Sequence, residues 1–195
     1  MVAYKFLTLI LLHMLCVPIS ATPARAPCVE ALPYSDLPSP PPGSIARLIV
    51  RGIGTQNYSC INAAPVSQGA EALLLDITCL HCSRPRQSGD KRASDEHDVA
   101  EVGRHYFTQQ LVPVFDFSKA EIPFTFFATK AASVPSPGSP SSGAIDWLYL
   151  TPNSAAPNSG GVRAVYRVST VGGLPEMPCT GSQEVPYMAE YWFFF

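Results

Sequence analysis

Residues 185–195 read VPYMAEYWFFF, with one charge, Glu190, and large side chains on both faces of an extended chain. Tyr187, Tyr191, Phe193 and Phe195 fall on one side, Trp192 and Phe194 on the other. A strand of this kind belongs where neither face meets water, in the middle of a sheet or between two layers. Residues 162–171 (VRAVYRVSTV) supply a companion. There Val162, Ala164, Tyr166, Val168 and Thr170 share one face and Arg163, Val165, Arg167, Ser169 and Val171 the other, the period of a half-buried strand. Residues 144–151 (AIDWLYLT) read as a third strand, and Gly/Pro-rich turns separate the three.

The rest of the chain repeats this chemistry. Residues 45–50 (IARLIV) and 56–62 (QNYSCIN) read as strands on either side of a turn at 51–55, where Gly52 and Gly54 lie. Residues 69–80 (GAEALLLDITCL) have a continuous apolar centre, and Ile77 and Thr78 tip them toward a buried strand. Strand-like residues return at 105–107, 112–117 and 124–134, with Pro113 and Pro123 marking strand starts or edges. No repeat and no sustained helical period is visible. Short strands joined by Gly/Pro/Ser-rich loops predict an all-β protein, an antiparallel sandwich or barrel.

The N-terminus reads as a secretory signal peptide over residues 1–21: Lys5, an apolar run from Phe6 to Val17 too short to span a bilayer, then small residues before a cut after Ala21. A permanent anchor is the alternative. Removing 21 of 195 residues leaves 174, the size of one domain with its own core. Residues 22–43 form a Pro-rich segment expected to lie across the domain, and residues 44–195 form a single β domain. The expected localisation is secreted and extracellular, with no membrane attachment once the signal is cut. A net charge of −2 with 14% charged residues argues against nucleic acid, whose binding needs a basic surface.

Several motifs fail on inspection. Gly52-x-Gly54 lacks the third glycine and the following helix that a dinucleotide fingerprint requires, and no cofactor is expected. Cys79-Leu80-His81-Cys82 has CxxC spacing but no second half to complete a metal site, so no metal is expected. Asn57-Tyr58-Ser59 is the chain's N-x-S/T sequon, a glycosylation site if Asn57 points outward. Residues 83–104 hold ten of the 28 charged side chains and almost no large apolar residue, which predicts an exposed loop with, at most, a helical turn over 95–104. Within it Lys91-Arg92 is a dibasic pair open to processing proteases.

Taken together, GTQNYSC at 54–60, DITCL at 76–80, HYF at 105–107, AASVP at 131–135, DWL at 146–148, VYRVSTVGG at 165–173, Cys179-Thr180 and AEYWF at 189–193 resemble a secreted, largely fungal family of unknown function. Some of its members carry a malate dehydrogenase-like label. The residues do not support a dehydrogenase, because a nicotinamide site needs a phosphate-binding strand–turn–helix unit. The resemblance implies that Cys28, Cys60, Cys79 and Cys179 form two disulfides, Cys28 with Cys79 and Cys60 with Cys179 being preferred among the three possible connectivities, and leaves Cys82 odd. It carries over no catalytic residue.

For an enzyme, the candidate residues are Asp76, Asp116, Asp146 and Glu190, with His105 and Tyr106 as possible partners; two carboxylates across a groove could cleave a glycoside. The plainer role of each is that of a strand-end acceptor or an arginine's partner, Glu190 with Arg163 or Arg167. No G-x-S-x-G elbow frames a serine. For a binding module, Trp147, Tyr149, Tyr166, Tyr191 and Trp192 could face a sugar ring or a partner protein, although most are expected to fill the core. The expectation is a secreted, disulfide-stapled, noncatalytic binding protein for an extracellular glycan or protein, with a small carbohydrate hydrolase as the alternative.

Overall fold

A computed structural model of the chain describes residues 31–81, 99–137, 143–156 and 160–195. Eight strands run as a meander: β1 (Ala46–Ile61), β2 (Ala64–Asp76), β3 (Glu101–Phe107), β4 (Pro113–Asp116), β5 (Thr125–Val134), β6 (Trp147–Pro152), β7 (Ala164–Gly172) and β8 (Ser182–Phe194). Each pairs antiparallel with the next, and β8 pairs with β1, which closes the sheet into a barrel. A four-residue helix, α1 (Thr78–His81), follows β2. Closure leaves the barrel without an unpaired edge.

The period of two sorts the side chains into two cores. Val50, Leu74, Phe115, Phe117, Phe126, Leu150, Val165, Tyr191 and Phe193 fill the lumen. Ile49, Trp147, Ala164, Tyr166, Val168, Trp192 and Phe194 form a second cluster on the outside of the wall, packed with Leu37 and Ile77. The described part of the Pro-rich segment, residues 31–43, covers this outer cluster: the Tyr166 hydroxyl donates to the Pro38 carbonyl at 2.8 Å and Arg163 Nη1 to that of Pro42 at 3.0 Å. β8 therefore has the two dry faces its sequence requires. α1 docks beside it, where Thr78 Oγ1 accepts from the Ile49 amide at 2.9 Å.

Four expectations change. Residues 51–55 make no turn, because β1 runs unbroken through Gly52 and Gly54. These glycines admit close neighbours: a Cβ at Gly52 would stand 2.7 Å from the Tyr191 ring, and one at Gly54 would collide with the Glu71 carbonyl. Residues 77–80 leave the strand, since Asp76 Oδ1 accepts from the Thr78 amide (2.9 Å) and hydroxyl (2.6 Å) and turns the chain into α1. The charged stretch gives up its last four residues to β3, where Val102 is buried and Gly103 lies against the Asp116 carbonyl. Residues 144–146 precede β6 rather than begin it, with Ala144 making a single bridge to Gly173.

Cys60 and Cys179 form a disulfide across 119 residues of sequence. It ties the end of β1 to the β7–β8 loop, and the Cys60 amide donates to the Gly181 carbonyl beside it at 2.8 Å. Cys28, Cys82 and the Lys91-Arg92 pair lie outside the described residues, as does the signal segment. Cys79 is exposed on α1.

Candidate functional site

The two ends of the barrel differ. At the end where β1 starts and the chain finishes, Phe117 stacks on Phe124 (centroids 4.5 Å apart), and Phe193 meets Phe115 and Phe117 edge-on at 5.3 and 5.0 Å. At the opposite end the lumen opens into a cavity of about 560 Å³, within the range of small-molecule sites. Four connections surround this mouth: the β1–β2 turn and the β3–β4, β5–β6 and β7–β8 loops. Phe107, Phe115, Ile145, Leu148, Leu150 and Leu174 give it apolar walls.

Its polar groups form one chain of contacts. Arg167, two residues beyond Val165 on the lumen face of β7, donates from Nε and Nη2 to the Asp146 carbonyl at 3.1 and 2.8 Å. Its charge lies close enough to the Tyr191 phenol to favour the ionised form of that group. The Tyr191 and Tyr187 hydroxyls are 3.1 Å apart, and Tyr187 in turn meets Gln56. The Tyr58 hydroxyl donates to the Gly173 carbonyl at 2.8 Å, a second tie between the end of β1 and the β7–β8 connection, two residues from the disulfide at Cys60. Burial pushes the Tyr58, Tyr187 and Tyr191 phenols up, with the Arg167 charge opposing it in each case. All three therefore stay protonated, the Tyr58 hydrogen being given to Gly173.

His105 reaches the same cavity from β3. Its ring stacks on Phe115 at 4.2 Å, and its Nδ1 lies 2.8 Å from the Val114 carbonyl, which can only accept. Nδ1 therefore carries the proton, and Nε2 of the neutral ring is an acceptor. Burial lowers the ring's pKa to about 4; the Val114 bond opposes that shift and the Arg167 charge adds to it.

The four carboxylates are scattered. Asp76 and Asp116, at the aromatic end, each accept from the backbone of their own turn; Ser118 N to Asp116 Oδ1 is 2.9 Å. Asp146 lies at the mouth. Glu190 points to the outer face, away from Arg167, and meets His81 Nε2 at 3.4 Å, Trp192 Nε1 at 3.3 Å and Ser169 Oγ at 3.4 Å. The expected partnership of Glu190 with Arg167 fails because neighbours on a strand face opposite ways. Ser169, Glu190 and His81 do not form a nucleophile relay either, since activation needs the imidazole between serine and carboxylate, and here the carboxylate stands between.

Trp147, Tyr166, Tyr191 and Trp192 are buried and present no flat face to a sugar at the surface; Tyr149 is half-buried against Tyr166. Tyr191 alone of the five lines the cavity. Tyr106 is exposed on the outer wall. Asn57 sits within β1, half-buried and with its Oδ1 shut from solvent. Arg167, Tyr58, Gln56 and Tyr187 were not picked out as site residues. The signal was a charged residue two positions from Val165, which the register sets opposite Tyr191 of the next strand.

Fold and site together define a closed eight-stranded antiparallel barrel, packed at one end and holding a ligand-sized cavity at the other. The chain belongs to a family described as a protein of unknown function (DUF3455), whose model matches residues 41–195. No similar chain was found among curated proteins or among solved structures.

Proposed function

We propose that this chain is a secreted, noncatalytic binding protein whose ligand enters the open end of the barrel. The observation that carries this reading is the cavity itself: about 560 Å³, apolar walls, and converging donors from Arg167 and the tyrosines at its base. That is the composition of a recognition site, in which apolar area supplies affinity and a few fixed polar groups supply orientation. The dispersal of the carboxylates speaks for binding over glycoside cleavage, which needs two of them flanking one bond. The apolar run from Phe6 to Val17 and the Cys60–Cys179 disulfide support secretion.

With most of the candidate aromatics buried, a small molecule in the lumen suits this protein better than an extended glycan or a protein laid on its surface. Amide NMR of the secreted protein screened against small organic molecules and oligosaccharides tests the reading. Shifts are expected to cluster on Gln56, Tyr58, Phe107, Leu148 and Arg167. Binders that map only to the outer wall at Ile53, Leu73 and Tyr106, or release of reducing sugar from wall polysaccharides, would overturn it.

A further inference from the structure

Arg167 holds a guanidinium, half-buried, on the lumen face of β7 next to the apolar cluster that fills the barrel. The ion pairs found among the described residues, His81 with Glu190 and Lys119 with Glu101, do not include it. A charge withdrawn from water without a counter-charge is costly, and the Asp146 carbonyl and the Tyr191 hydroxyl offset that cost only as dipoles. Two of the five guanidinium N–H groups are engaged by Asp146. The charges lining the cavity are those of Arg167 and Lys130 against Asp146, with His105 neutral. One positive charge is left over, enough for a monoanion and too little for a phosphate dianion. A guanidinium fork beside a phenol matches the two oxygens of a carboxylate. Around this base, Phe107, Leu111, Ile145, Leu148, Leu150 and Leu174 offer only apolar surface.

We infer that the ligand is a monocarboxylic acid with an apolar body, its carboxylate held by Arg167 beside the Tyr191 hydroxyl and its body lying along the cavity wall toward the mouth. This inference rests on the reading of the open end as a binding site. The two fail separately. Nothing in the binding step makes or breaks a covalent bond; the carboxylate exchanges water for the guanidinium fork, and the apolar body leaves water for the lumen.

The test is isothermal calorimetry of the full secreted protein with decanoate, below its micelle concentration, and with decanol, its uncharged counterpart. Decanoate is expected to bind at least about tenfold more tightly than decanol, a difference typical of one charge-assisted contact. Arg167→Gln should erase that preference, and Arg167→Lys, which keeps the charge but not the fork, should retain part of it. If Arg167→Gln does not fold, the guanidinium Nη–H resonances of Arg167 in the wild-type protein decide: they should shift with decanoate and not with decanol, and unmoved resonances overturn the inference. Equal binding of both probes, unchanged in Arg167→Gln, overturns the carboxylate inference and leaves the binding site standing. Binding of neither probe, or binding undiminished by a Leu174→Trp plug in the mouth, overturns both.

Discussion

The two ends of this barrel are built from the same strands and differ within a few residues. Along β8 the lumen face reads Phe193, Tyr191, Ala189, Tyr187 from the closed end to the open one, and along β7 it reads Val165 and then Arg167. Each step of two residues advances only about 7 Å along the strand. Over that distance the interior changes from interlocked phenylalanines to a network of phenols, an imidazole and a guanidinium. The packed end anchors the fold. The open end gives up close packing, and that loss makes room for a ligand.

The contrast breaks first at Phe193. Truncation to alanine removes a ring held edge-on by Phe115, Phe117 and Phe126 and should cost about 3–5 kcal/mol. Tyr191→Phe, two residues toward the mouth, should cost only about 1 kcal/mol. Denaturant midpoints of the two variants measure the difference; equal losses would mean that both ends are packed alike. Next comes the disulfide at the open end: replacing Cys60 and Cys179 by serine should cost about 3–4 kcal/mol and loosen the β7–β8 loop that carries Leu174. Denaturation together with decanoate titration reads both effects.

A third expectation concerns pH. Arg167, Tyr191, Phe107 and Phe115 face His105 and leave it neutral in the fold, with a pKa of about 4 against an ordinary 6.5. Between those values the unfolded chain binds a proton that the folded one does not, so stability falls as pH drops, by about 3 kcal/mol in all. Above pH 6.5 the group contributes no slope. Stability measured from pH 7.5 to 4 in the wild type and in His105→Gln isolates this part; parallel curves would place the imidazole in water. The smallest effect lies outside the barrel: Tyr166→Phe loses one hydrogen bond to Pro38 and should cost about 1 kcal/mol without altering ligand binding.

Much of this fold could be read from the chain because strands write their exposure into alternate positions. β8 appears in the sequence with its faces correctly sorted, and β7 does so over residues 164–168, whereas Val162 joins the lumen cluster and a bulge after Val168 brings Ser169 to Glu190 on the outer face; the aromatics on both sides of 185–195 already demanded cover on both faces. Gly52 and Gly54 misled because a glycine that admits a neighbour looks the same as one that makes a turn; only the register with β2 and β8 distinguishes them. The site was legible in fragments. His105 and Tyr191 drew attention by residue type. Arg167 stood, with Arg163, as an alternative partner for Glu190, because the sequence does not say which face of a strand becomes a lumen. Closure settles that, by joining β8 to β1, and closure depends on pairings as distant in sequence as Ala46 with Phe194 and Ser59 with Ser182.

The central claim is that one end of the lumen takes a ligand and the other does not. Intermolecular nuclear Overhauser contacts between decanoate and the side chains of the barrel test it most directly. The account predicts contacts from the decanoate methylenes to Phe107, Leu148 and Leu150 and none to Phe117, Phe124 or Phe126. Contacts to the phenylalanines of the closed end, or only to the outer wall, would contradict it.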